Sequence, residues 1–138
     1  MSLSAQDEPE WIELETVYRL HSRQLAEHAG AGGIRDEGML LSAMNRLLSK
    51  WDYERPRPDL CELAAAYAFG IAKNHPFLDG NKRTAAVVCE VFLILNGLEP
   101  TATEDDKYPV YLALAAGDLH EDSFADWLRK NTSAVPLP

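Results

Sequence analysis

Between Trp11 and His28, the apolar residues Leu14, Val17, Tyr18, Leu20 and Leu25 recur mostly every three or four positions, the period of an amphipathic helix. Gly30, Gly32 and Gly33 then stop it. Behind Asp36, whose carboxylate can cap free amides, Leu40, Ala43, Met44 and Leu47 repeat the period in a second helix. Met39, Leu41 and Leu48 widen its apolar surface beyond one stripe, which simple core packing explains first and a partner groove second. Pro56 and Pro58 make Trp51 to Pro58 a loop. Asp59, with Glu62 three positions on, reads as a capping pair. It opens a third helix carrying Leu60, Leu63, Tyr67 and Ile71, which stops near Asn74 because Pro76 disfavours helical geometry at His75.

A fourth helix is predicted from Asn81 to Asn96, with Gly97 as its left-handed terminator. Ala85 to Leu95 is apolar nearly all round, which predicts a helix surrounded by others, the central one. A fifth helix is expected to start near Pro109, with Val110, Leu112 and Leu114 along it, and a sixth to run from about Asp122 to Lys130, burying Phe124, Trp127 and Leu128. No strand alternation, repeat or dividing linker is evident. The chain therefore reads as an all-α, compact single-domain bundle of about six helices over residues 10–130, with a flexible 1–9 segment and a frayed tail from Asn131 to Pro138.

Composition narrows the function classes. A formal net charge of -9 over 138 residues opposes direct nucleic-acid or anionic-membrane binding, because phosphates reward lysine and arginine. Cys61 and Cys89 form no CxxC pair and sit in apolar patterns, so both are expected buried and reduced. With no membrane-length apolar run and no signal-like start, a cytoplasmic location is expected. His21 and His28 are seven apart on one helix, about 10.5 Å by rise, too far to share a metal, and are expected at the surface or half-buried.

The chemistry concentrates in His75 to Ala85, HPFLDGNKRTA. His75 can accept a proton near neutral pH, and Asp79 offers a hard oxygen for Mg²⁺. Gly80 permits a tight turn, while the amides from Gly80 to Arg83 with the Lys82 and Arg83 side chains can cradle phosphate at a helix N-terminus. Taken singly, each has an ordinary explanation: Asp79, Gly80 and Asn81 are common turn formers, and Lys82 and Arg83 could be solvated surface charge. Ordinary turn chemistry does not explain two cations in a first helical turn, where the helix dipole repels them unless an anion is present. The run is that of a phosphoryl or nucleotidyl transfer site.

This run resembles the motif of the Fic/Doc superfamily, broadly HPFx(D/E)GNxR, and its NKRTA ending resembles the Doc (death-on-curing) branch. The resemblance extends upstream through Gly33 to Glu37 and the Leu63 to Asn74 stretch. It implies an all-α fold and transfer of part of a nucleotide to a hydroxyl of a target protein, with ATP as co-substrate and Mg²⁺ as cofactor. By position, His75 resembles the general base, Asp79 the magnesium ligand, Gly80 and Asn81 the anion-binding turn, and Arg83 the phosphate-binding arginine.

Lys82 and Ala86 stand where AMP-transferring Fic proteins have glycine and a second arginine. Doc proteins share these substitutions and transfer the terminal phosphate, which implies a toxin that phosphorylates a cytosolic protein, such as elongation factor Tu. Gly80 is closer to the AMP-transferring branch, so AMP transfer is the second reading. No (S/T)xxxE(G/N) inhibitory helix is found, so inhibition is expected from a separate antitoxin. The loop residues Trp51, Tyr53, Arg55 and Arg57 stand where a family flap would meet the target, or form a solvated loop with packed aromatics. A reading of another class is a non-catalytic partner-binding module of a toxin and antitoxin complex.

Overall fold

The computed structural model describes residues 8–28 and 32–135; Gly30 of the expected helix stop lies outside them. The order is α1 Leu14–His28, α2 Glu37–Tyr53, α3 Leu60–Asn74, α4 Asn81–Leu95, β1 Leu98–Pro100, α5 Glu104–Ala116, α6 Glu121–Lys130 and β2 Thr132–Ala134. The fold is the expected all-α bundle, with one small antiparallel sheet in which Leu98 faces Ala134 and Pro100 faces Thr132. Over Thr132–Ala134, then, the tail is paired and not frayed; three-residue strands carry no readable alternation and join only through a partner distant in sequence.

α1 starts at Leu14, after a non-helical segment whose backbone is tied to α3 and the end of α4. The Tyr67 hydroxyl accepts from the Ile12 amide at 2.9 Å and donates to the Ile12 carbonyl at 3.2 Å, while the Asn96 amide clasps both backbone groups of Glu10 at 2.8 and 2.9 Å. The Asp36 and Asp59 carboxylates cap α2 and α3 by accepting from the Met39 and Glu62 amides. The pair at Asp59 is one-sided, since the Glu62 carboxylate accepts from Arg129.

The most enclosed helix is α3, with Cys61, Leu63, Tyr67, Ile71 and a run of alanines buried against α2, α4, α5 and α6. Small side chains permit this crowding. A Cβ added at Gly70 would stand 2.7 Å from that of Ala43, so α2 and α3 approach at a distance only glycine tolerates. α4, expected at the centre, buries Asn81, Thr84, Ala85, Val88, Cys89, Phe92 and Leu93 along one side and leaves Ile94 and Leu95 exposed.

Two loop expectations are corrected. α2 continues through Trp51 to Tyr53, since buried Trp51 packs edge-on against Trp11 and completes the Leu40, Ala43, Leu47 stripe. α5 begins at Glu104, capped by the Thr103 hydroxyl, and Pro109 lies inside it. Three acidic residues in the first turn favour that start through the helix dipole.

Candidate active site

His75 to Arg83 spans the turn from the end of α3 into the start of α4, and four sets of contacts fix it. The first is at the α3 C-cap, where His75 adopts a left-handed backbone, φ 48. Its carbonyl and that of Asn74 accept from the Arg35 guanidinium, each at 2.6 Å, so Arg35 satisfies the last carbonyls of α3. The second is the strand-like segment before α2. The amides of Arg35 and Asp36 both donate to the Pro76 carbonyl, at 2.7 and 2.9 Å, and Leu78 donates to Gly33 at 3.2 Å.

Third, the Asn81 side chain reaches back across the turn. Its oxygen accepts from the Phe77 amide and its nitrogen donates to the Phe77 carbonyl, both at 3.0 Å. The side chain sequence reasoning placed in the anion turn is thus committed to the loop backbone, and what Asn81 can offer an anion is its amide. Fourth, His21 of α1 stacks on Phe77, with ring centroids 3.7 Å apart, and bonds the Asp79 carbonyl. His21 is 4% exposed, so the expectation of a surface or half-buried histidine is corrected. The side chain of His28 lies outside the described residues.

At the start of α4, Gly80 is the N-cap with φ 78 and no side-chain cap, and the first turn holds no acidic residue. The first intrahelical bond runs from the Thr84 amide to the Gly80 carbonyl, so the amides of Asn81, Lys82 and Arg83 precede it and point out of the helix's positive end. Lys82 and Arg83 are exposed beside them. Such an end can hold a phosphate without a further cation.

A cleft of about 820 Å³ opens here, and His75, Asp79, Gly80, Asn81, Lys82 and Arg83 all line it. Its floor follows one face of α4 through Arg83, Ala86, Val87 and Glu90, at helical spacings of three, one and three. Glu104, Lys107, Tyr108 and Tyr111 of α5 form the opposite wall, and Gln24 and Glu27 of α1 a third side. These wall residues carry no local motif and are brought in by folding alone. Lys107 donates to both Glu90 oxygens, at 3.1 and 3.0 Å, and lies 3.1 Å from Glu104. Partial burial works against its charge, but the two carboxylates prevail and raise its pKa. Burial, with Cys89 and Glu90 alongside, pushes the Tyr111 hydroxyl far up, so it stays a neutral donor.

One Asp79 oxygen accepts from the Gly80 amide at 2.8 Å. Asp79 is exposed in the cleft, and among the described residues no group of three or more histidine, cysteine or acidic side chains is assembled to hold a metal. A single carboxylate suits Mg²⁺ if water and phosphate oxygens supply the other ligands. Trp51, Tyr53, Arg55 and Arg57 do not line the cleft; Arg57 sits over the Trp51 ring, 4.7 Å from its centroid. No described helix is long and apolar enough to cross a membrane.

The Fic/DOC family model matches residues 11–93, from the segment before α1 to the end of the cleft floor. The chain belongs to the Fic/DOC family. Within it, the chain is 30% identical over 119 residues to Protein kinase doc of Escherichia phage P1, which covers 86% of this chain and 93% of that protein. It is 38% identical over 72 residues to Toxin Doc of Mycolicibacterium smegmatis (strain ATCC 700084 / mc(2)155), covering 52% and 55% of the two. Both relatives are Doc proteins, in agreement with the NKRTA signature, and the family match ends before the α5 wall.

Proposed function

We propose that this chain is a Doc-type toxin that transfers the terminal phosphate of ATP to a serine or threonine hydroxyl of a cytosolic protein. The observation that carries the reading is the open, doubly cationic N-terminus of α4, facing a cleft that also holds His75 and Asp79. The names of the relatives, a protein kinase and a toxin, support it. Lys82 in the anion turn and Ala86 on the floor favour terminal-phosphate transfer, since no second arginine is there to hold a distal phosphate.

In this reading the α4 amides, Lys82 and Arg83 bind the transferred phosphate and neutralise the charge that builds on it. His75 accepts the proton as the acceptor oxygen bonds to phosphorus and the bond to the β-phosphate oxygen breaks, releasing ADP. Asp79 would hold Mg²⁺, which supplies further charge neutralisation. Inhibition by a cognate antitoxin follows from the same resemblance, and a translation factor such as elongation factor Tu is the first target to try.

AMP transfer is the second reading, favoured by glycine at position 80, which resembles the AMP-transferring branch. Incubation with target protein and ATP labelled at either the γ or the α phosphate distinguishes them. Label from the γ position is expected; label only from the α position would replace kinase by nucleotidyl transferase. Growth inhibition that survives both His75→Ala and Asp79→Ala would instead support a non-catalytic binding module.

A further inference from the structure

Among the described residues, His21 is a buried histidine that the proposed chemistry does not use. It projects from α1, an element distant from the motif in sequence, and its ring stack and its hydrogen bond both go to the motif loop. Its ring lies flat on Phe77, interplanar angle 9°, and Tyr18 meets the same Phe77 ring edge-on. Its Nε2 is 2.8 Å from the Asp79 carbonyl oxygen. A carbonyl only accepts, so Nε2 carries the proton. Gly80 is beside the same ring: a Cβ there would lie 3.7 Å from both Cδ2 and Nε2.

The Asp79 carbonyl and the Gly80 amide belong to one peptide plane, so holding one fixes the other. That amide donates to Asp79 Oδ1, which in turn orients the carboxylate in the cleft. Gly80 is the residue of the turn freest to rotate, and a flipped peptide would exchange the directions of carbonyl and amide. Such a flip would take the amide from the Asp79 carboxylate and set a carbonyl oxygen against it.

We infer that His21 is a positioning residue: its Nε2–H pins the Asp79–Gly80 peptide, setting both the aim of the Asp79 carboxylate and the left-handed turn that opens the α4 N-terminus. The inference rests on the proposed phosphate-transfer role of this loop. It also predicts local order in the chain without any ligand, which can be measured separately.

The test uses the full chain with His21→Phe, which keeps the ring stack and removes the donor, and His21→Gln, which restores an amide donor. Hydrogen exchange at the Phe77 and Leu78 amides, bonded to Asn81 and Gly33, reports opening of the loop. Loss of one hydrogen bond should speed exchange at these two amides about five- to tenfold in His21→Phe, leave the α3 amides unchanged, and be largely reversed in His21→Gln. In the transfer assay His21→Phe should need about tenfold more Mg²⁺ for half-maximal rate, with KM for the target protein unchanged. Unchanged exchange at Phe77 and Leu78, a uniform acceleration over the whole chain, or no recovery in His21→Gln would overturn the positioning role. If wild type transfers nothing from ATP, the proposed function falls while the exchange comparison still decides the role of His21.

Discussion

Replacing Asn81 with alanine removes the clasp that closes the motif loop. Asn81 is 9% exposed, and both of its bonds, each 3.0 Å, go to Phe77 backbone groups that are themselves buried. Two neutral hydrogen bonds contribute about 1–3 kcal/mol together, and stranding their buried partners raises the cost, so a loss of about 2–4 kcal/mol is expected. Against a typical total of about 5–15 kcal/mol the variant still folds. Its midpoint should drop by roughly 10 °C for a chain of this size, read by thermal and urea unfolding monitored by circular dichroism. Asn81→Asp keeps an acceptor for the Phe77 amide but aims its second oxygen at the Phe77 carbonyl, so it should recover little. A loss below about 1 kcal/mol in Asn81→Ala, or full recovery in Asn81→Asp, would refute the clasp.

Three further outcomes are expected. His75→Ala should lower the transfer rate about 10²- to 10⁴-fold with KM for ATP nearly unchanged, as measured by initial rates; a fall in affinity alone would remove His75 as the base. Cys61 and Cys89 are buried thiols whose pKa values burial raises, so neither should react with a thiol reagent at neutral pH until urea unfolds the chain, as absorbance would show. Despite partial burial, which works the other way, hydrogen bonds from Arg129 and the Glu62 amide hold the Asp59 carboxyl below its usual range. That contribution is present above the unfolded value of about 3.9 and is lost as pH falls through the lower folded one. Urea unfolding should therefore find wild type more stable than Arg129→Met at neutral pH, by a small margin because the pair is half exposed, with the gap closing as pH falls from the unfolded value through the lower folded one.

How much could be read from the chain depended on how local each signal was. The motif loop was legible because Pro76 and Gly80 act on the backbone beside them and Asn81 on that of Phe77, four positions back, and the six helices because their apolar residues repeat within a few turns. The centrality of α3 was obscured by its alanines, which register weakly in a hydrophobic pattern but let helices approach closely, as Gly70 against Ala43 makes plain. Pro109 misled because it reads as a helix start, while the real start lies at the Thr103 hydroxyl. His21 and the Lys107, Glu90 and Glu104 wall were out of reach: their meaning depends on α1 and α5 folding against α4, and no spacing along the chain encodes that.

Calorimetric titration of ATP with Mg²⁺ into wild type and into the Lys82→Ala, Arg83→Ala double variant measures the anion site most directly. Two charge-assisted contacts are lost, at about 1.5–3 kcal/mol each, so affinity should fall at least about a hundredfold while circular dichroism is unchanged. An affinity within threefold of wild type would mean that the start of α4 is not where phosphate binds.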